Sequence, residues 1–200
     1  MAVVVVGGHS RNTGKTSVVA GLISHLREKN WTAVKITQFG HGLCSLKGRK
    51  CGCAVDEHPY AIFEEKDRSS CKDTSRFLAA GASRSLWMRT KQGRLELAMP
   101  DLRGTLESQP FVIIESNSIL GFIRPDLYLI VLRFDIRDFK DSAREMVKHC
   151  DAAVIVDSGT RHPSWKEVYR EMFPRIPAYH VAPPDFVSPE LIAFVRSRTG

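Results

Sequence analysis

The chain opens on Val3-Val4-Val5-Val6-Gly7-Gly8-His9-Ser10-Arg11-Asn12-Thr13-Gly14-Lys15-Thr16-Ser17, an unbroken β-branched run that passes through a glycine-bounded loop into a helical pattern. A buried strand, a tight loop and a helix N-terminus in that order gather backbone N–H groups and the positive end of a helix around one point, which suits a phosphate. The residue types agree with that use. Gly8 and Gly14 bound the turn, His9, Asn12 and Thr13 fill it, Lys15 can reach β- and γ-phosphates, the Thr16 hydroxyl can ligate Mg²⁺, and Ser17 follows in the first helical turn. The spacing departs from the usual pattern: five residues, not four, separate Gly8 from Gly14, and His9 stands where the first glycine ordinarily does.

Two hundred residues, 43% hydrophobic and 26% charged, are enough for a single nucleotide-binding domain over 1–200 with a sizeable core. No apolar run has the length of a membrane span, and the apolar start at residues 1–7 is too short for a signal peptide, so a cytoplasmic location without membrane contact is expected. The formal charge of +7 suits nucleotides and acidic substrates; without a basic run carrying interleaved aromatics, nucleic-acid binding is not expected. Five cysteines point to metal binding or packing before a disulfide framework.

Apolar runs alternate with helical patterns along the chain, the sign of an α/β domain with a mainly parallel sheet and helices on both faces. Strands are expected at 2–6, 32–37, 85–89, 111–115, 127–132, 152–156 and 178–181, and helices at 15–29, 74–81, 94–108, 142–149, 164–172 and 189–197. Residues 39–70 fit neither period and read as a functional insertion over the site. Trp87, Trp165, Phe111 and Tyr128 read as core.

Glu115 ends the apolar strand Phe111-Val112-Ile113-Ile114, where an open parallel sheet delivers side chains to its ligand crevice. A carboxylate there can hold Mg²⁺ or orient an attacking group; the alternative is a solvated strand-end charge. Ser116, Asn117 and Ser118 add polar groups beside it. Lys35 and Gln38 end the second strand and are candidates to contact a phosphate or a second substrate.

The opening loop resembles that of dethiobiotin synthetase and cobyrinic acid a,c-diamide synthase, in the broad class of P-loop proteins that includes MinD-like ATPases and metallochaperone GTPases. Lys72-Asp73-Thr74-Ser75-Arg76-Phe77-Leu78-Ala79-Ala80-Gly81-Ala82 is similar to a Gly-Lys-Asp-Thr/Ser…Ala-Gly-Ala segment of the molybdopterin-guanine dinucleotide biosynthesis protein B family. Residues 35–41, Glu115-Ser116 and Arg133 match further features of that family in the same order, over about two-thirds of the chain. The departures are the longer loop, Glu-Ser for Glu-Gly, a single post-strand histidine in His41, and no Asn-Lys-x-Asp guanine signature.

The resemblance implies a three-layer P-loop NTPase that binds GTP or ATP with Mg²⁺ and hydrolyses it weakly in support of molybdenum cofactor maturation. Its partners would be a pterin nucleotide or a cofactor-synthesising protein, and many members of the class are homodimers. Lys15 would stabilise charge on the transferring phosphate, Thr16 would hold Mg²⁺, and Asp73 and Glu115 would complete the metal shell or position the nucleophile. Asp73 reads equally as the N-cap of the helix at 74–81. Two rival functions are implied: an ATP-dependent carboxylate ligase of the dethiobiotin synthetase type, by the loop, and a metallochaperone GTPase, by the Cys51-Gly52-Cys53 element.

The second constellation is His41-x2-Cys44-x6-Cys51-Gly52-Cys53, with His58 and Cys71 further on. Cys44, Cys51 and Cys53 offer soft ligands for a tetrahedral Zn²⁺, with His41, His58 or Cys71 as the fourth; the alternative is a substrate lid whose thiols ligate nothing. The Cys-Gly-Cys element is similar to metal-handling segments of nickel metallochaperone GTPases. Cys150 reads as packing.

Overall fold

The computed structural model describes residues 1–40, 44–46, 57–172 and 175–200. Their elements run β1 (Ala2–Gly8), α1 (Lys15–His25), β2 (Thr32–Phe39), β3 (Tyr60–Glu64), α2 (Asp73–Ala80), β4 (Arg84–Lys91), α3 (Leu95–Leu106), β5 (Phe111–Glu115), β6 (Leu127–Leu132), α4 (Asp141–Met146), β7 (Ala152–Val156), α5 (Lys166–Met172), β8 (Ala178–Val181) and α6 (Pro189–Thr199). One eight-stranded sheet results, in the order β3-β4-β2-β5-β1-β6-β7-β8.

Every pairing but one is parallel, as the alternation of apolar runs and helices requires. The two faces are separated residue by residue. Val5, Val112, Ile114, Tyr128 and Ile130 pack with α3, α4 and α5, whereas Val4, Val6, Ile113, Leu127 and Leu129 pack with α1, α2 and α6. This period of two explains why the strands read as continuous apolar runs: both faces are covered.

The exception to the parallel order is β3, which runs antiparallel to β4 with Ile62 opposite Met88 and forms one edge of the sheet. It lies inside the interval expected to have neither period. Its signal is weak because only four half-buried residues and the exposed Glu64 carry it, and charged residues follow at once. Glu64 at its end pairs with Lys66 at 2.8 Å and with Arg84 on β4 at 3.1 Å.

Several helix bounds shift from expectation for local reasons. The helix expected at 15–29 stops at His25: Leu26 leaves helical geometry at φ −123°, and a separate 3-10 turn, Arg27–Lys29, ends on Asn30 at φ 51°. α2 ends in a Schellman turn, with the Gly81 amide donating to the Leu78 carbonyl and that of Ala82 to Phe77. α6 begins where Ser188 caps the Leu191 N–H and Pro189 occupies the first turn. Trp165 and Tyr128 are buried as expected, but Trp87 is half-buried, its indole N–H donating to Thr37 Oγ1 at 2.8 Å. Cys150 is packing: it is buried, its thiol donates to the Val147 carbonyl, and burial pushes its pKa up to about 12. Among the described residues no helix is long and apolar enough to cross a membrane.

Candidate functional site

β1 is the central strand, flanked by β5 and β6, so the loop at its C-terminal end sits where successive connections leave the sheet on opposite sides. One side chain from the segment after β5 fixes the start of that loop. Asn117 accepts from the Gly8 amide at 2.8 Å and donates to the Gly8 carbonyl at 2.7 Å. The approach is so close that a Cβ at Gly7 would lie 2.3 Å from Asn117 Oδ1. The loop closes on Gly14 at φ 98°, a left-handed conformation that costs other residues about 1–2 kcal/mol. α1 then starts with no side-chain cap and no acidic residue in its first turn, which leaves its positive end facing the crevice.

His9 does something other than line that crevice. Its backbone continues the strand, the amide donating to the Val131 carbonyl and the carbonyl accepting from the Lys140 amide. The imidazole is fully buried between Phe139 and Trp165, with both ring centroids 5.2 Å away. Its contacts fix the tautomer: Nδ1 lies 3.1 Å from the Asp138 carbonyl, which can only accept, so Nδ1 carries the hydrogen and Nε2 accepts from the Arg133 amide at 3.2 Å. Burial, aided by the charge of Lys15, lowers its pKa to about 4 against the opposing pull of the Asp138 carbonyl. The loop is thus tied to the 133–140 segment through a neutral ring, and Ser10 Oγ adds a 2.6 Å bond to the Asp138 carboxylate.

The charged centre of the site comes from four elements. Lys15 folds across the loop and donates to the Ser10 carbonyl at 2.8 Å; burial, with Lys35 and Lys140 nearby, lowers its pKa, while Glu115 opposes. Thr16, next in α1, donates to Glu115 Oε2 at 2.8 Å. Lys35, from β2, places its ammonium 2.6 Å from Glu115 Oε1, 2.7 Å from Asp73 Oδ2 and 3.5 Å from Thr16 Oγ1. Burial pulls the Lys35 pKa down, yet Glu115 and Asp73 outweigh it and hold the group above its ordinary value. Asp73 is not the helix cap that the sequence also allowed: it is the first residue of α2, makes no side-chain cap, and turns to Lys35 and, at 3.9 Å, to Arg76.

These groups border a cavity of about 720 Å³. Gly8, Asn12, Thr13, Gly14, Ser17 and Gln38 line it with them, and His9 does not. Further members not singled out from the sequence as site residues include Arg76, whose guanidinium donates to Ser17 Oγ at 2.9 Å, and Gln92, and Lys140 joins them from the charged, aromatic segment 134–141 that reads as closing one side of the crevice. Arg76 carries a signal of its own, three residues after Asp73 on one helix face. A hydroxyl and two carboxylates, all hard oxygen donors, are the ligand chemistry that Mg²⁺ takes.

The cysteine constellation is only partly within the described residues. Cys44 is 2% exposed, Cys71 is exposed and His58 half-buried, whereas His41, Cys51 and Cys53 lie outside them. Among the described residues no three His, Cys, Asp or Glu side chains are grouped to hold a metal ion.

No family model and no curated protein matches the chain. Among solved structures it is similar to HypB from Helicobacter pylori in complex with nickel, at TM-score 0.50 and 15% identity over 98% of this chain and 86% of that one. It is also similar to a Zn(II)-bound triple mutant of the YjiA GTPase, at TM-score 0.45 and 12% identity over 96% of this chain and 60% of that one. The first likeness shows the fold, a mainly parallel sheet with helices on both faces. It lends no support to the molybdopterin-guanine dinucleotide biosynthesis protein B family in particular.

Proposed function

We propose that the chain is a P-loop nucleoside triphosphatase that binds its nucleotide with Mg²⁺ in the cavity above β1. The observation that carries this reading is the convergence of Lys15, Thr16, Asp73 and Glu115 from a strand end and two helix starts onto one cavity. Surface charges scattered for solubility do not converge in this way. The loop amides and Lys15 would hold the phosphates, and the lysine, already partly desolvated, would stabilise charge that grows on the transferring group. Thr16, Asp73 and Glu115 would hold Mg²⁺, which supplies charge neutralisation and in-line orientation when bound. Glu115, 4% exposed and anchored on a buried strand, is a rigid carboxylate for that purpose.

Of the finer roles, metal handling is the one we favour. Its support is the likeness to a nickel-bound HypB, together with cysteines in the insertion after β2. In this reading hydrolysis in the cavity drives capture or release of a soft divalent cation. The molybdenum cofactor role rests on resemblance alone, and the carboxylate ligase on loop spacing.

Binding of GTP and of ATP, measured by calorimetry with Mg²⁺ for wild type and for Lys15→Ala, tests the core of the proposal. Wild type is expected to bind one of the two nucleotides, and loss of the charged donor is expected to weaken binding about 10- to 100-fold with an unchanged ligand-free melt. Equal affinity in the two proteins refutes the phosphate loop.

A further inference from the structure

We propose that Lys35 is a built-in counter-cation: while no nucleotide is bound its ammonium holds the place of Mg²⁺ among Thr16, Asp73 and Glu115, so the metal enters only with the phosphates. The inference rests on the reading of the cavity as a Mg²⁺-nucleotide site. The ammonium lies 2.6 and 2.7 Å from one oxygen of each carboxylate and 3.5 Å from the hydroxyl, and Glu115 Oε2 is meanwhile taken by the Thr16 proton. Both oxygens of Glu115 and one of Asp73 are therefore already committed to a donor.

Charge and size decide the competition. Mg²⁺ needs oxygens at about 2.0–2.1 Å in octahedral array and sheds water reluctantly. With Lys35 in place the shell carries two carboxylates and one ammonium, a net charge of −1, and a divalent ion entering it would stand against a cation at near-contact distance. A free metal ion brings nothing to relocate the ammonium. A nucleoside triphosphate does, because its terminal oxygens offer the lysine a new anionic partner and supply the metal's missing ligands. Lys35 can make that move: its side chain is 19% exposed and lines the cavity, and its stem is the flexible four-carbon chain of lysine.

The arrangement gives the ligand-free protein two properties. It ignores the abundant free divalent pool, and its paired carboxylates stay neutralised, so the crevice does not pay for two close negative charges. The metal and the nucleotide then bind as one unit, and release of the phosphates returns Lys35 to the shell.

Mn²⁺ titrated into the full-length protein and followed by electron paramagnetic resonance tests this without reference to turnover. Wild type without nucleotide is expected to leave Mn²⁺ free, and to bind one ion per chain once the nucleotide is added. Lys35→Met is expected to bind one Mn²⁺ without nucleotide, about tenfold or more tightly than wild type, and to show a melting temperature that rises with Mg²⁺ alone. Lys35→Arg, which keeps the charge, is expected to gain no such affinity. The inference is overturned if nucleotide-free Mn²⁺ affinity is the same in wild type and Lys35→Met, or if wild type binds Mn²⁺ as well without nucleotide as with it. The second criterion stands even if Lys35→Met does not fold. Failure of wild type to bind any nucleotide overturns the site reading as well, whereas normal nucleotide binding with unchanged Mn²⁺ affinity overturns the role of Lys35 alone.

Discussion

Mild acid is expected to destabilise the folded chain through the buried His9 ring. The buried ring has a pKa of about 4, against an ordinary 6.5. Below pH 6.5 the unfolded chain takes up a proton that the folded state refuses, so stability is fully present above that pH and falls as pH drops towards 4. Integrating between those two values gives a loss of about 2 kcal/mol on going from pH 7.5 to pH 5. The acidic groups held below their ordinary range, Glu64 and Asp135 among them, stay ionised there in both states and contribute little. Urea denaturation at the two pH values, on wild type and on His9→Asn, isolates the term. The variant is expected to be less stable at pH 7.5, because the cavity between Phe139 and Trp165 is no longer filled, and to lack the acid-dependent loss. If both proteins lose the same stability over that interval, the assignment of a neutral, buried His9 is wrong.

Glu115→Gln keeps the side chain's shape and removes its charge; nucleotide should still bind while Mg²⁺-dependent turnover, measured by phosphate release, falls about 10²- to 10⁴-fold. Normal turnover would reduce Glu115 to a partner of Lys35. For the insertion, purified protein should carry about one Zn²⁺ or comparable soft cation per chain by elemental analysis, and the Ser replacement of Cys44, Cys51 and Cys53 together should remove it, since hydroxyls are poor substitutes for thiolates. Metal-free wild type that still hydrolyses nucleotide normally would count against metal handling and favour a plain lid.

The sequence made the central unit legible because its signals are local. Four consecutive valines, a glycine-bounded turn and Gly-Lys-Thr define β1, the loop and α1 without help from distant residues, and the strand end at Glu115 follows from the same periodicity, whereas Lys35, expected to end its strand, sits in the middle of β2. What escaped depends on distance along the chain. His9 stands in the loop, a position that suggests the phosphate grip, but its partners Asp138 and Arg133 lie 129 and 124 residues away, and nothing near it announces an aromatic pocket. Lys35 was placed at the crevice, yet that its ammonium would meet Asp73 and Glu115 at once follows only from the pairing of β2 with β5 and from the docking of α2. β3 was hidden by its shortness and by its place in an otherwise aperiodic stretch.

That edge strand bears on how the protein behaves in concentrated solution. A sheet bordered by an unpaired strand offers a row of free backbone groups to any neighbouring molecule, and such edges are where chains stick to one another. Here the exit of β3 carries a cluster of alternating charge, Glu64 between Arg84 and Lys66, which a second strand would have to strip of water in order to dock. Arg84 first and then Lys66 hold the Glu64 carboxyl down at about 2, so this guard stays ionised through acid conditions that discharge ordinary carboxylates. Resistance to association at the β3 edge is therefore kept in mild acid, where the interior has already begun to weaken.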